Sequence, residues 1–442
     1  MKGKSVNMQN SKTAIPVNIK KMAILLTVAY GLNFSGFGLL VPNMSIIGKS
    51  LLEMEGAGGM PLSTLSFVSL FSAIPLGKLA DKFGRKTAII IMICFYAIGD
   101  LVSLFAYQQS SGMMYLVGMG ILGIGVGGMA LFTTALTDIF PSAYKGRASG
   151  YAQFGTAFGM SVGMLGSGWI STYINVSAVF YVAIACQIVS FILMMTIKTD
   201  TLVIGRTLTE YWPAEAFTSV SAARGDVDTN PKHNRPAIQL LFLWPIFLGI
   251  FLRIWFHIAL SFVNVALPLA LTDLGYTLAG ISTYTATRAL MAFFTADISG
   301  RMLDKFGRKI GFIACPAVTI TGILMFVIAS HPAFLLIGCA LIGFGNAIAN
   351  VTPPAVCNDV TYLPERATST AIYGISTNVG GFLFPVPIAI ILGRIGLTGL
   401  CITIAIAFLV PIVLALLTLH ETSIGHFKGF ELDGQSKTTS VN

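Results

Sequence analysis

The sequence predicts an all-α integral membrane protein with twelve transmembrane helices in two six-helix, pseudo-symmetric halves, and three observations carry that prediction. Of 442 residues, 55% are hydrophobic and only 10% charged, with a mean hydropathy of +0.80; soluble domains of this size do not sustain that balance. The apolar residues gather into runs of about 20, the length that crosses a bilayer as a helix. The stretch Gly77-Lys78-Leu79-Ala80-Asp81-Lys82-Phe83-Gly84-Arg85-Lys86 returns as Gly300-Arg301-Met302-Leu303-Asp304-Lys305-Phe306-Gly307-Arg308-Lys309, a shift of 223 residues in a chain whose half-length is 221.

In chain order, residues 1–21 are polar and basic, too long for the n-region of a signal peptide and followed by no small-residue cleavage site, so they are expected to remain as a cytoplasmic tail. Runs at about 22–41, 62–80, 87–107, 113–138, 148–172 and 177–197 make a first half, 22–197. Residues 198–236 carry Asp200, Arg206, Glu210, Glu215, Arg224, Asp226, Asp228, Lys232 and Arg235 and read as a solvated linker. Its Leu208, Tyr211, Trp212 and Phe217 are expected on the membrane surface as a short amphipathic helix. Runs at about 240–271, 279–302, 310–330, 333–360, 367–392 and 397–419 make the second half, 237–420, followed by a cytoplasmic tail, 421–442.

Orientation follows from the loops. With the N-terminus inside, the cytoplasmic face collects Lys20, Lys21, Lys78, Lys82, Arg85, Lys86, Lys145, Arg147, the linker cations, Arg301, Lys305, Arg308, Lys309 and Arg366, whereas the outer face keeps Lys49 and Arg394. Cations stay on the cytoplasmic side during insertion, so both termini are expected there, in a plasma or inner membrane. The net charge of +9 does not indicate nucleic acid, because the basic residues sit in short segments between apolar runs rather than in patches with interleaved aromatics. Cys94, Cys186, Cys315, Cys339, Cys357 and Cys401 lie in apolar runs without metal-ligand spacing, so neither a disulfide framework nor a metal site is expected. No cofactor is called for. Asn43 to Ser50 is a near miss for a phosphate loop that lacks its first glycine, and neither HExxH nor GxSxG occurs, which argues against a pump or an intramembrane enzyme.

The repeated loop holds more than a topological anchor needs. Topology asks only for Lys and Arg, yet each copy adds an Asp four residues before an Arg, Asp81 with Arg85 and Asp304 with Arg308, and two glycines for a sharp reversal, Gly77 with Gly84 and Gly300 with Gly307. Asp138, followed by Lys145 and Arg147, ends span 4. Asp359, followed by Pro364 and Arg366, ends span 10, two residues short of the 223-residue register that Pro141 and Pro364 keep.

On these residues the chain resembles a twelve-span transporter of the major facilitator superfamily over nearly its whole length. The Gly77 to Lys86 loop matches that superfamily's signature between spans 2 and 3, and Gly300 to Lys309 repeats it. The resemblance implies a cytoplasmic latch of Asp81, Arg85 and Asp138 that holds the halves together when the cavity faces outward, with Asp304, Arg308 and Asp359 as a weaker counterpart. Two departures stand out. Gly120 in span 4 sits where many proton-coupled members have arginine, and span 5 (Gly155, Gly159, Met160, Gly163, Met164) approaches the drug-exporter motif with Met160 in place of its proline. The glycines also serve close helix packing, whatever the direction of transport. The sugar-porter signatures after spans 6 and 12 are missing.

Charges at membrane depth cost about 2.5 to 3.5 kcal/mol each on insertion scales and require partners. Asp100 in span 3 is expected to make a structural hydrogen bond, and Asp297 to brace the loop through Arg301. Arg253 and His257 share a face of span 7, and Arg288 lies mid-span 8. The resemblance places spans 1, 4, 7 and 10 around the cavity, which nominates Asn33, Thr133, Thr134, Asn264, Asn346 and Asn350, with Gln153 and Asn378 on neighbouring spans. The expectation is a monomeric, alternating-access secondary transporter of a small organic solute, coupled to a proton, with export ahead of import. The alternative is ion-coupled uptake of an organic anion, which Arg253 and Arg288 would suit.

Overall fold

The computed structural model describes residues 15–141, 144–212, 237–328, 331–361 and 365–419. The two tails, the linker from 213 to 236 with Phe217, Pro364, and the side chains of Lys145 and Arg366 lie outside the described residues.

Twelve helical passes follow one another. Span 1 is Val17–Leu51, span 2 Met60–Phe83, span 3 Arg85–Gln108, span 4 Gly112–Gly127 with Ala130–Asp138, span 5 Lys145–Tyr173 and span 6 Val176–Thr196. Span 7 is Trp244–Ser261, a π turn at Phe262–Ala266 and Leu267–Asp273; span 8 is Leu278–Phe294 with Ala296–Phe306. Span 9 is Lys309–Val327 and span 10 Pro332–Val360. Span 11 begins at Arg366–Leu383 and continues into Pro385–Ala407, which turns at Gly396 (φ 70°, ψ 179°) to start span 12, ending with Leu409–Thr418. Span 1 starts five residues before its apolar run and ends ten after it, because a helix continues past the hydrocarbon that its apolar residues measure.

Among the described residues, nine stretches are long and apolar enough to cross a membrane, the last holding spans 11 and 12 together. Spans 5 and 8 are the exceptions. Span 5 is rich in Gly, Ser and Thr, and span 8, interrupted at Thr295, carries Arg288 and Asp297. These two pack against each other across the middle of the molecule, so their polar residues face protein and cavity rather than lipid.

Each half has its own core. Tyr96, Tyr115, Phe132, Phe140 and Phe180 are fully buried in the first, and Phe256, Phe262, Phe312 and Phe408 in the second. Spans 1 and 5 meet backbone to backbone: a Cβ at Gly159 would collide with the Gly31 carbonyl and one at Gly163 with that of Ser35, while Ser35 Oγ donates to the Gly159 carbonyl at 2.9 Å. Without side chains the two axes approach closely enough for dispersion to hold them where no hydrophobic effect operates.

The halves are joined at the end opposite the repeated loops. There Lys49 Nζ meets Asp273 at 2.9 Å, Arg394 meets Glu55 at 2.6 and 3.0 Å, Ser63 Oγ donates to the Phe382 carbonyl at 2.9 Å, and Ala279 N donates to Thr172 Oγ1 at 3.0 Å. Gly59 admits the backbone of Pro385 where any side chain would clash.

The start of the linker departs from expectation. Residues Thr201–Arg206 and Leu208–Tyr211 are short helices, and Trp212, 3% exposed, packs on Phe140 and Tyr144 and donates its indole N–H to the Ile139 carbonyl at 3.1 Å. Trp212 therefore docks on the end of span 4 instead of lying on the membrane surface. A buried indole needs an acceptor for its N–H, which this end of span 4 supplies.

Candidate functional site: a cavity between the halves and the two repeated loops

The loops are built alike. Gly84 (φ 98°) and Gly307 (φ 87°) hold the left-handed backbone that lets spans 3 and 9 reverse directly out of spans 2 and 8. Arg85 Nη1 meets Asp81 Oδ1 at 2.7 Å and its Nε meets Asp138 Oδ2 at 3.1 Å; Arg308 meets Asp304 and Asp359 at 2.8 Å each through the same atoms. In these ion pairs the second copy matches the first, and the two-residue offset of Asp359 is absorbed before span 10 ends. These pairs also correct the expected latch. They tie spans within one half, 2 to 3 to 4 and 8 to 9 to 10, and they are intact although the cavity opens at this end.

Asp200, which reads in the sequence as one linker charge among ten, completes the first loop. Its carboxylate accepts from the backbone N–H of Arg85 at 3.1 Å and of Lys86 at 2.9 Å, at the positive start of span 3, and from Leu202 N at 2.8 Å. A Cβ at Gly84 would collide with that carboxylate. The signal in sequence was an Asp just past an apolar run, too common to single out.

A cavity of about 830 Å³ lies between the halves. Leu62 and Ser66 of span 2 and Gly381 of span 11 line its closed end; Gly150 and Gln153 of span 5 and Asp297 of span 8 line its mouth, toward the repeated loops. Its two walls differ in chemistry. The first half gives Phe34, Phe37, Leu65, Val126, Phe154 and Met160, relieved by Ser66, Gln153 and Thr156; the second gives both arginines and most of the polar groups, Arg253, His257, Asn264, Arg288, Asn346, Asn350, Thr377 and Asn378, beside the apolar Leu260, Phe293, Phe294 and Val351.

Arg253, 8% exposed, donates from Nε to Thr377 Oγ1 at 3.1 Å and from Nη1 to Asn346 Oδ1 at 3.4 Å, an oxygen that also accepts from Asn350 Nδ2 at 3.4 Å. His257 Nδ1 lies 3.0 Å from the Arg253 carbonyl, and Gly380 leaves room for the imidazole against span 11. The π turn that follows brings Asn264 onto the same cavity face, a common use of such a turn. Arg288 is 5% exposed, and its Nε and Asn264 Oδ1 are buried with no hydrogen-bond partner. Asp297 lines the mouth but pairs with Arg301.

Three nominated residues lie elsewhere. Asn33 is fully buried and donates to Gln187 Oε1 at 2.6 Å, since the stripe Ala29, Asn33 and Gly36 of span 1 faces span 6 while Phe34 and Phe37 face the cavity. Thr133 lies 3.3 Å from the Tyr30 hydroxyl, and Thr134 turns back to the Ala130 carbonyl at 3.0 Å. Both follow the break in span 4 at Gly128 and Met129, so span 4 reaches the cavity only through Val126, and spans 2, 5, 8 and 11 take larger shares than expected. Asp100 is fully buried, and neither of its oxygens has the expected hydrogen bond.

Two like helical halves around one solute-sized cavity, closed at one end and open at the other, define a membrane transporter rather than an enzyme. The sequence matches the Major Facilitator Superfamily over residues 26–262 and 246–440, and the chain belongs to that family. It is 20% identical over 371 residues to the uncharacterized MFS-type transporter YddS of Bacillus subtilis, covering 82% of each chain. It is 21% identical over 384 residues to the class B tetracycline resistance protein of Escherichia coli, covering 84% of this chain and 88% of that one. A D-xylose-proton symporter shares the fold with a TM-score of 0.69 at 14% identity, over 91% of this chain and 98% of that one.

Proposed function

We propose that this chain is a secondary active transporter that moves a small organic solute across the cell membrane by alternating access, driven by protons, with export as the direction of work. The cavity carries the reading: closed by cross-half contacts at one end and open at the other, it has the geometry of one end state of a two-state cycle. The basic loops support a cytoplasmic open end, which makes this the inward-facing conformation of the proposed cycle. Gly77 and Gly300 have open space where a side chain would lie, room that a second state could use when the halves close over these loops. The likeness to a tetracycline resistance protein supports export.

A second reading, ion-coupled uptake of an organic anion, is favoured by Arg253 and Arg288 in the cavity wall. Coupling to an ion would offset the potential, since an anion entering against an inside-negative potential meets about 2.3 kcal/mol per 100 mV.

Purified protein in liposomes, given an imposed proton gradient and a panel of labelled organic solutes, should show gradient-dependent flux above that of empty liposomes. Absence of flux for every solute and gradient sign would sink the reading. A cysteine at Ser219, in the linker outside the described residues, should react with an impermeant reagent only in inside-out vesicles; labelling of intact cells would reverse the orientation.

A further inference from the structure

We propose that the cavity is shaped for an amphipathic organic acid whose carboxylate lies between Arg253 and Arg288 and whose apolar body lies against Phe34 and Phe37. The proposal rests on the transporter reading of this same cavity and holds for either direction of transport. Two guanidinium groups from different helices enter one space at membrane depth, where each needs a counter-charge or water. Neither finds a carboxylate in the cavity wall. Arg253 donates to the neutral oxygens of Thr377 and Asn346, and Arg288 Nε has no partner at all. Asp297, the one carboxylate among the described lining residues, sits at the mouth and is engaged by Arg301.

The wall is therefore cationic and short of acceptors. An oxyanion with two oxygens fits guanidinium forks directly, whereas an ammonium would meet like charge and a neutral solute would leave both cations unanswered. A bare inorganic anion fits poorly for a separate reason: about 830 Å³ is the volume of a drug-sized ligand site, and the facing wall of the first half carries no charge. One carboxylate fills a small part of that space. The rest calls for an apolar, ring-bearing body, and binding then engages both halves at once.

The test uses phenylacetate, phenylacetamide and phenethylammonium, three ligands with one ring and different charge, titrated calorimetrically into the purified full chain. The acid should bind about tenfold or more tightly than the amide, the span of one charge-assisted hydrogen bond, and the ammonium most weakly. Arg288→Gln and Arg253→Gln should each bring the acid's affinity down toward the amide's and change the amide's by much less. Arg288→Lys should keep part of the preference. Equal affinity for acid and amide, preference for the ammonium, no binding of the acid, or parallel loss of acid and amide in both glutamine variants would each overturn the proposal. If a glutamine variant does not purify folded, the lysine variants and the acid-to-amide ratio of the unaltered protein decide it. Flux in liposomes separates the two readings. Acid binding without flux of any solute removes the transporter reading alone; amides moving as fast as acids removes the anion site alone.

Discussion

Arg85, with its side chain 14% exposed, lies between carboxylates of unequal surroundings, Asp138 at 24% exposure and Asp81 at 70%. Water screens the second pair and leaves the first nearly intact. Asp138→Asn should therefore cost about 1.5 to 3 kcal/mol, the range for a charge-assisted bond in partly dry surroundings, whereas Asp81→Asn should cost about 0.2 to 1 kcal/mol. Because the second copy repeats the geometry, Asp359→Asn and Asp304→Asn should follow the same order with similar sizes. Thermal unfolding midpoints of the four purified variants check this; an equal loss for Asp81→Asn and Asp138→Asn would mean that exposure does not govern the contact. The pairing of Arg85 with Asp81 was legible from a four-residue spacing. Asp138 entered through family resemblance, and Asp200 was not legible at all, since its role depends on a fold that returns the end of span 6 to the start of span 3.

At the scale of the helix, span 5 shows how one composition serves two faces. Gly155, Gly159 and Gly163 recur every four residues and lie against span 1, while Gln153, Phe154, Ala157 and Met160 face the cavity. Gly159→Ala and Gly163→Ala should each force the helices apart and cost about 1 to 3 kcal/mol, the usual range for overpacking. Gly150→Ala, where the same methyl meets open space, should be close to neutral. A melt in detergent distinguishes them: if Gly150→Ala destabilises as much as Gly163→Ala, intrinsic effects at glycine and not the span 1 contact explain the loss. Met160, which stands where the exporter motif has proline, extends its side chain into the cavity while its carbonyl abuts Gly38.

For the molecule as a whole, the ion pairs of the closed end bear on the balance between conformations. Lys49 and Arg394, the two cations expected on the outer face, both cross between halves, to Asp273 and Glu55. An exposed pair such as Lys49 with Asp273 contributes about 0.2 to 1 kcal/mol, so Lys49→Gln should favour opening of the closed end by no more than about fivefold. Distances between spin labels across the closed end report the shift; an unchanged distribution would make the pair a bystander. The Arg394 hydrogen bond holds the Glu55 carboxyl below the usual carboxylate range. That bridge thus supports closure at and above the ordinary carboxylate pKa and is lost as pH falls through the lowered value, so acid should favour opening of the closed end and Glu55→Gln should remove that response.

What the sequence determined by itself was one-dimensional. Apolar runs count the passes, a shift of 223 residues reveals the duplication, and the basic loops give an expected orientation, because each of these depends on residues close together in the chain or on a repeat along it. Which polar residue faces what was left to the tertiary structure. A helix apolar on all sides has no amphipathic stripe to show which face meets lipid, a neighbour or a cavity. So Asn33, on a presumed cavity span, turns to Gln187, whereas Arg253 and Arg288, ambiguous in sequence, turn to the cavity. The neighbouring helices decide that orientation, and they come from parts of the chain that local pattern cannot connect.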